Sequence, residues 1–202
     1  MIESSYLIPA DTTFYQQEIK RSKFLTWIAP IDSPTSAKQW IQARRDEYPD
    51  ARHVCWAYIA GSPNTSLKSM SDDGEPHGTA GKPMLNVLEH SDVGDIVAVV
   101  VRYFGGIKLG TGGLVRAYSS SVSTAMQQAV LIKKVAKQNL KLQFPYSEEA
   151  QVRYLLKDEQ GEVLAVQYSD AVQFQCQLPQ DNITTFKQRL GLSVMVLKPI
   201  DE

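Results

Sequence analysis

Residues 96–116 read IVAVVVRYFGGIKLGTGGLVR: six apolar residues in a row, an arginine between apolar and aromatic neighbours, then five glycines within nine positions. An apolar run that does not alternate with polar residues is what a strand buried on both faces requires, so residues 96–104 are expected at the centre of a sheet covered on each side. A helix over 114–130 follows, with Leu114, Val115, Tyr118, Val122, Ala125, Met126 and Ala129 along one stripe. Its remaining positions, Ala117 and Ser119–Ser121, are small enough for close backbone approach.

Upstream, residues 14–31 read as a strand pair or one bent strand. Residues 33–48 read as a helix with Ser33 as its cap and Pro34 at its first position. Residues 53–60 form a strand ended by Gly61-Ser62-Pro63-Asn64, residues 69–81 are expected as a loop, and 83–90 as a short helix capped by Thr79. Beyond Lys133-Lys134 the rhythm tightens. Strand 135–145, helix 147–159, strands 163–168 and 171–178 around Ser169-Asp170, helix 181–190 capped by Asp181, and strand 193–199 give the ferredoxin-like order βαββαβ. The fold class is therefore α+β in two domains, 1–134 and 135–202.

The bulk chemistry bounds the function. The chain has 202 residues, is 43% hydrophobic and carries a net charge of −1, so it can bury a core and does not coat nucleic acid by overall charge. Lys and Arg number 14 against 13 acidic residues up to Lys134, and 7 against 9 beyond it, so neither part is a basic arm or an acidic tail. The two cysteines, Cys55 and Cys176, lie far apart in apolar stretches with no CxxC spacing, which argues for buried thiols and against structural zinc. The start, MIESSYLIPADTTF, lacks the basic and apolar pattern of a secretory leader, and no stretch is long and apolar enough to span a bilayer. A cytoplasmic protein with no membrane partner is expected.

Four clusters carry candidate chemistry. In 71–83, SDDGEPHGTAGKP, the carboxylates of Asp72, Asp73 and Glu75 repel one another unless compensated. A divalent cation such as Mg²⁺, neighbouring Arg or Lys side chains, or plain solvation could do this. The Gly-Thr-Ala-Gly that follows opens a helix whose amides suit an anion. In 102–116, Arg102, Lys108 and Arg116 accompany Gly105, Gly106, Gly110, Thr111, Gly112 and Gly113. The spacing fits neither a dinucleotide fingerprint nor a P-loop, which leaves a tight structural crossover or a phosphate-approach loop. Lys20-Arg21-Ser22-Lys23-Phe24 is a basic run beside an aromatic, suited to a phosphate backbone and a stacked base through Lys20, Lys23 and Phe24, or simply solvated. Arg52-His53 opens a strand, where a histidine is commonly a hydrogen-bonded structural residue; His77 lies within the acidic loop. No Ser/His/Asp arrangement declares itself, so no catalytic residue and no metal ligand is assigned.

The stretches SDDGEPHGTAGKPML and VVVRYFGGIKLGTGGLVRAY together resemble the signature of the IMPACT family, over roughly residues 14–130, and the tail resembles the second domain of its bacterial members. The resemblance implies a first domain like domain IV of elongation factor G and ribonuclease PH, and a second like domain V of that factor. It implies translation control: eukaryotic members restrain a stress-activated kinase through partner binding, using a further domain absent from these residues. It implies no accepted catalytic residues. The leading expectation is an RNA- or ribosome-binding protein. A Mg-dependent phosphoryl-transfer or nuclease-type enzyme and a protein-binding adaptor are the alternatives. The acidic loop would disfavour RNA unless a cation bridges carboxylate and phosphate or the loop is internal, with Asp72 or Asp73 paired to Arg102 or Arg116 and capping a helix; the internal arrangement is preferred.

Overall fold

The computed structural model describes residues 5–197, which divide into two compact units, one running from Tyr6 to Lys134 and the other built on the stretch from Val135. In the first, β1 (Ser5–Pro9), β2 (Thr13–Ile19), β3 (Ser22–Pro30), α1 (Pro34–Glu47), β4 (His53–Ile59), β5 (Lys68–Ser71), α2 (Gly81–Glu89), β6 (Ile96–Tyr103), α3 (Thr111–Gln128) and β7 (Leu131–Val135) follow in order. Five strands form an antiparallel sheet in the order β2-β3-β6-β4-β5, and β1 pairs with β7.

The apolar run does what its composition demands. On β6, Ile96, Ala98 and Val100 pack into a core with α2 and α3, while Val97, Val99 and Val101 face a second core with Ala37 and Ile41 of α1. Every one of those six side chains is at most 1% exposed. The glycine loop follows the C-terminal end of this buried strand.

The β2–β3 hairpin closes on Lys20 and Arg21, with Ile19 opposite Ser22. Both turn residues are left-handed, at φ of 48° and 66°. Two-residue hairpins want that geometry but normally draw Asn or Gly for it. Two long cations there cost about 1 kcal/mol each in backbone strain.

The second unit contains β8 (Lys137–Phe144), α4 (Glu149–Asp158), β9 (Glu162–Tyr168), β10 (Val172–Pro179), α5 (Ile183–Arg189) and β11 (Met195–Leu197). Its antiparallel sheet has the order β11-β8-β10-β9, the ferredoxin-like arrangement. One face, through Leu142, Phe144, Phe174 and Cys176, packs on Val152, Leu156 and Phe186 of the helices.

Some expectations change. Residues 69–71, expected in a loop, belong to an edge strand because Lys68–Ser71 find partners in Trp56–Ile59; four polar-rich residues carry no periodicity to reveal it. Helix α3 begins at Thr111, three residues before the apolar stripe, so Gly112 and Gly113 are its first turn. Neither Ser147 nor Asp181 caps a helix: each lies in a 3-10 turn, and α4 and α5 begin after it without a side-chain cap. Residues 198 and 199 of the expected last strand lie outside the described residues.

Candidate nucleic-acid interface

The acidic loop is internal. Asp72 accepts the amides of Ala80 and Gly81 on one oxygen, at 2.9 and 2.8 Å, and that of Gly78 on the other, at 2.8 Å. It caps α2 from eight residues upstream. This displaces Thr79, the expected cap, whose hydroxyl donates instead to the Pro76 carbonyl at 2.6 Å. Burial pushes the Asp72 carboxyl up, but the three amides outweigh it and hold it below the usual aspartate value. Gly81 is required by the approach: a Cβ would stand 2.8 Å from the Ser71 backbone.

Asp73 accepts the Val54 amide at 2.7 Å and pairs with Arg45 at 2.7 Å, and its carbonyl meets His53 Nδ1 at 3.0 Å. Glu75, with a side chain only 3% exposed, takes Arg102 Nη1 at 2.6 Å and the Tyr118 hydroxyl at 2.8 Å on a single oxygen. The Cys55 thiol donates to the Asp72 carbonyl at 2.9 Å, and burial pushes its ionisation far above the usual range.

The expected compensation by internal cations thus occurs with other partners. Asp73 pairs with Arg45 rather than Arg102 or Arg116, and Arg102 is taken by Glu75. Each carboxylate has its own donors, and among the described residues no group of three or more His, Cys, Asp or Glu could hold a metal ion. The acidic trio does not fit a shared Mg²⁺.

Arg102 therefore leaves the candidate surface. It is 6% exposed and lies between the rings of Phe24 and Phe104, at 5.5 and 5.7 Å. Its Nη2 reaches Ser22 Oγ at 3.4 Å, and that hydroxyl also accepts the Gly105 amide at 3.2 Å. The chain of contacts ties acidic loop, central strand, hairpin tip and glycine loop together. Phe24, expected beside a base, is fully buried in the core; its strand alternates, and the aromatic falls on the inner face.

What remains exposed converges on the hairpin tip. Gly105 is packed so tightly that a Cβ would lie 2.0 Å from the Arg21 carbonyl carbon. Gly106 and Gly110 have φ of 85° and 72°, and they and Gly112 face open space. The first bond of α3 is from the Leu114 amide to the Gly110 carbonyl, with no side-chain cap and no acidic residue in the first turn. The amides of Thr111, Gly112 and Gly113 thus precede the helical ladder. Lys20, Gly113 and Arg116 line one cleft of about 320 Å³. Arg21 and Lys23 line another of about 450 Å³. Lys108 is exposed on the loop itself. Among the described residues, none of these five cations has an ion-pair partner within 4.0 Å.

Sequence reading placed Lys20, Lys23, Lys108, Arg116 and the glycines here but missed Tyr103 and Phe104, which line the second cleft, with Phe104 53% exposed. The signal was there: the apolar run ends at Val101, and a strand's last residues leave the cover of the helices.

Comparison with known proteins settles the relationship. The model of the Impact N-terminal domain matches residues 20–126, and one for a domain of unknown function matches 142–191. The chain is 43% identical over 188 residues to IMPACT family member YigZ of Escherichia coli K12, covering 93% of this chain and 92% of that protein. The chain belongs to the IMPACT family. IMPACT family member YvyE of Bacillus subtilis is 32% identical over 91% of this chain and 84% of its own. A crystal structure titled as that of a hypothetical protein superposes over all of both chains with a TM-score of 0.76 at 40% identity. Protein IMPACT of Xenopus laevis is similar over only 95 residues, 45% of this chain and 30% of that protein, at 34% identity. The Impact N-terminal match begins at the hairpin tip and runs into α3, so it spans acidic loop and glycine loop alike.

Proposed function

We infer that this IMPACT family protein binds RNA, free or within the ribosome, through the hairpin tip and glycine loop of its first unit, and thereby acts in translation in the cytoplasm. The observation that carries the reading is the gathering of five cations without an ion-pair partner among the described residues, from the hairpin, the loop and α3, near an uncapped helix N-terminus. Backbone amides and a helix dipole favour phosphate there, and the cations add charge neutralisation. The strained Lys20-Arg21 turn supports it, since charge at that tip is kept at the expense of backbone geometry. The internal disposal of Asp72, Asp73 and Glu75 removes the acidic loop as an obstacle.

Such binding works by counterion release, with log affinity falling by about 0.7 per phosphate contact on a single strand for each decade of salt. About four contacts predict a loss of about 50-fold when salt is raised fourfold. Charge reversal at two exposed positions, Lys20→Glu with Arg116→Glu, should weaken binding more than about tenfold and flatten the slope by about 1.4. The melting temperature should not change. Fluorescence anisotropy with a labelled RNA from low to physiological salt reads both quantities. A flat slope in the parent protein, or a double variant that binds as the parent does, contradicts the reading.

A further inference from the structure

The two clefts beside the hairpin tip differ in chemistry. The one alongside α3 is lined by Lys20, Leu109, Gly113, Arg116, Ala117 and Ser120, with no aromatic ring. The other is lined by Gln16, Arg21, Lys23, Leu25, Tyr103 and Phe104. There the Phe104 ring is half exposed and backed by the buried Arg102 guanidinium. The Tyr103 hydroxyl donates to Asp50 at 2.9 Å, which holds its ring in place. The exposed Gln16 lies opposite Leu25 and offers both a donor and an acceptor. The exposed Glu18 stands opposite Lys23 on the neighbouring strand. A carboxylate there repels a phosphate but tolerates a neutral, flat group.

Phosphate chemistry on one side of a two-residue turn and aromatic, carboxamide chemistry on the other describes a nucleotide unit divided across the tip. We propose that the occupant is single-stranded RNA, with a phosphate held between Lys20, Arg116 and the first turn of α3, and a base stacked on Phe104 in the cleft beside Gln16 and Tyr103. Every base has a face for an aromatic ring, so the site selects strand state rather than sequence. A duplex keeps its bases stacked and paired, and it cannot fill the second cleft. The inference rests on the RNA-binding reading above and narrows it to unpaired strands.

The test titrates the intact protein with labelled oligouridine of about eight nucleotides, a fully abasic strand of the same length, and a blunt RNA duplex. The strand should bind about tenfold more tightly than either the abasic strand or the duplex. Phe104→Ala should lose about tenfold for oligouridine alone, and Phe104→Trp should restore it. If Phe104→Ala fails to fold, Phe104→Leu keeps the apolar bulk without a π face and should show the same selective loss. Salt-sensitive binding that is equal for strand and duplex and unmoved by Phe104→Ala overturns this inference and leaves the RNA-binding reading in place. No salt-sensitive binding to any of the three overturns both.

Discussion

Replacing Arg102 by alanine is expected to lower the melting temperature of the protein by about 10 °C or more. The guanidinium is buried, ion-paired to Glu75 at 2.6 Å and flanked by two aromatic rings. Its loss strands the Glu75 charge in a site that only the Tyr118 hydroxyl still satisfies. Leaving one member of a buried pair alone costs about 3–5 kcal/mol, and each kcal/mol lowers the melting temperature by about 3 °C in a chain of this size. The paired replacement Glu75→Gln with Arg102→Met removes both charges, keeps an acceptor for Tyr118, and should recover much of the loss. Thermal unfolding of the two variants checks this. Arg102→Ala melting with the parent, or the double replacement melting below Arg102→Ala, would contradict the internal assignment of this pair.

Gly105→Ala is expected to damage both stability and RNA binding. A methyl at this position meets backbone atoms, at 2.0 and 2.1 Å from the Arg21 carbonyl group and 2.5 Å from the Ser22 nitrogen, so no rotamer change relieves it. The hairpin tip must move away from the glycine loop, separating Lys20 and Arg21 from Arg116 and the start of α3. Overpacking of this kind costs about 1–3 kcal/mol. The displaced tip should reduce RNA affinity by about as much as reversing Lys20 and Arg116, about tenfold or more. Gly112→Ala is the control for stability, because a Cβ there meets nothing within 4 Å and alanine is the better helix former by about 0.5–1 kcal/mol. Calorimetry and anisotropy on the two variants separate the roles. Gly105→Ala binding RNA as the parent does would show that the contact between tip and loop does not position the surface.

These two sites show what could be read from the chain and what could not. The core strand was legible because six apolar residues without alternation admit one physical solution, burial on both faces. The second unit was legible because helix and strand periods alternate cleanly between short turns. The glycine-rich loop announced itself by composition, yet composition does not distinguish its glycines. Gly105 exists for a backbone approach across 83 residues of sequence, Gly106 and Gly110 for positive φ, and Gly112 for neither. The acids and cations were found, but not their pairing. Asp73 meets Arg45 and Glu75 meets Arg102 only because β4 and β6 lie side by side and α1 crosses them, a matter of tertiary registry. The same registry decided that Phe24 points inward and Phe104 outward. Asp72 illustrates the limit best: the helix cap expected of Asp72 or Asp73 is there, on α2, but the expected pairing with Arg102 or Arg116 is not.

The central claim is that the first-turn amides of α3, with the cations around them, receive RNA phosphate. Amide NMR during titration with a single-stranded oligonucleotide tests it most directly. The Thr111, Gly112 and Gly113 resonances should shift furthest, together with those of Lys20 and Arg21, and the shifts should shrink as salt is raised. Saturable binding that leaves those five amides unmoved while others shift would contradict it.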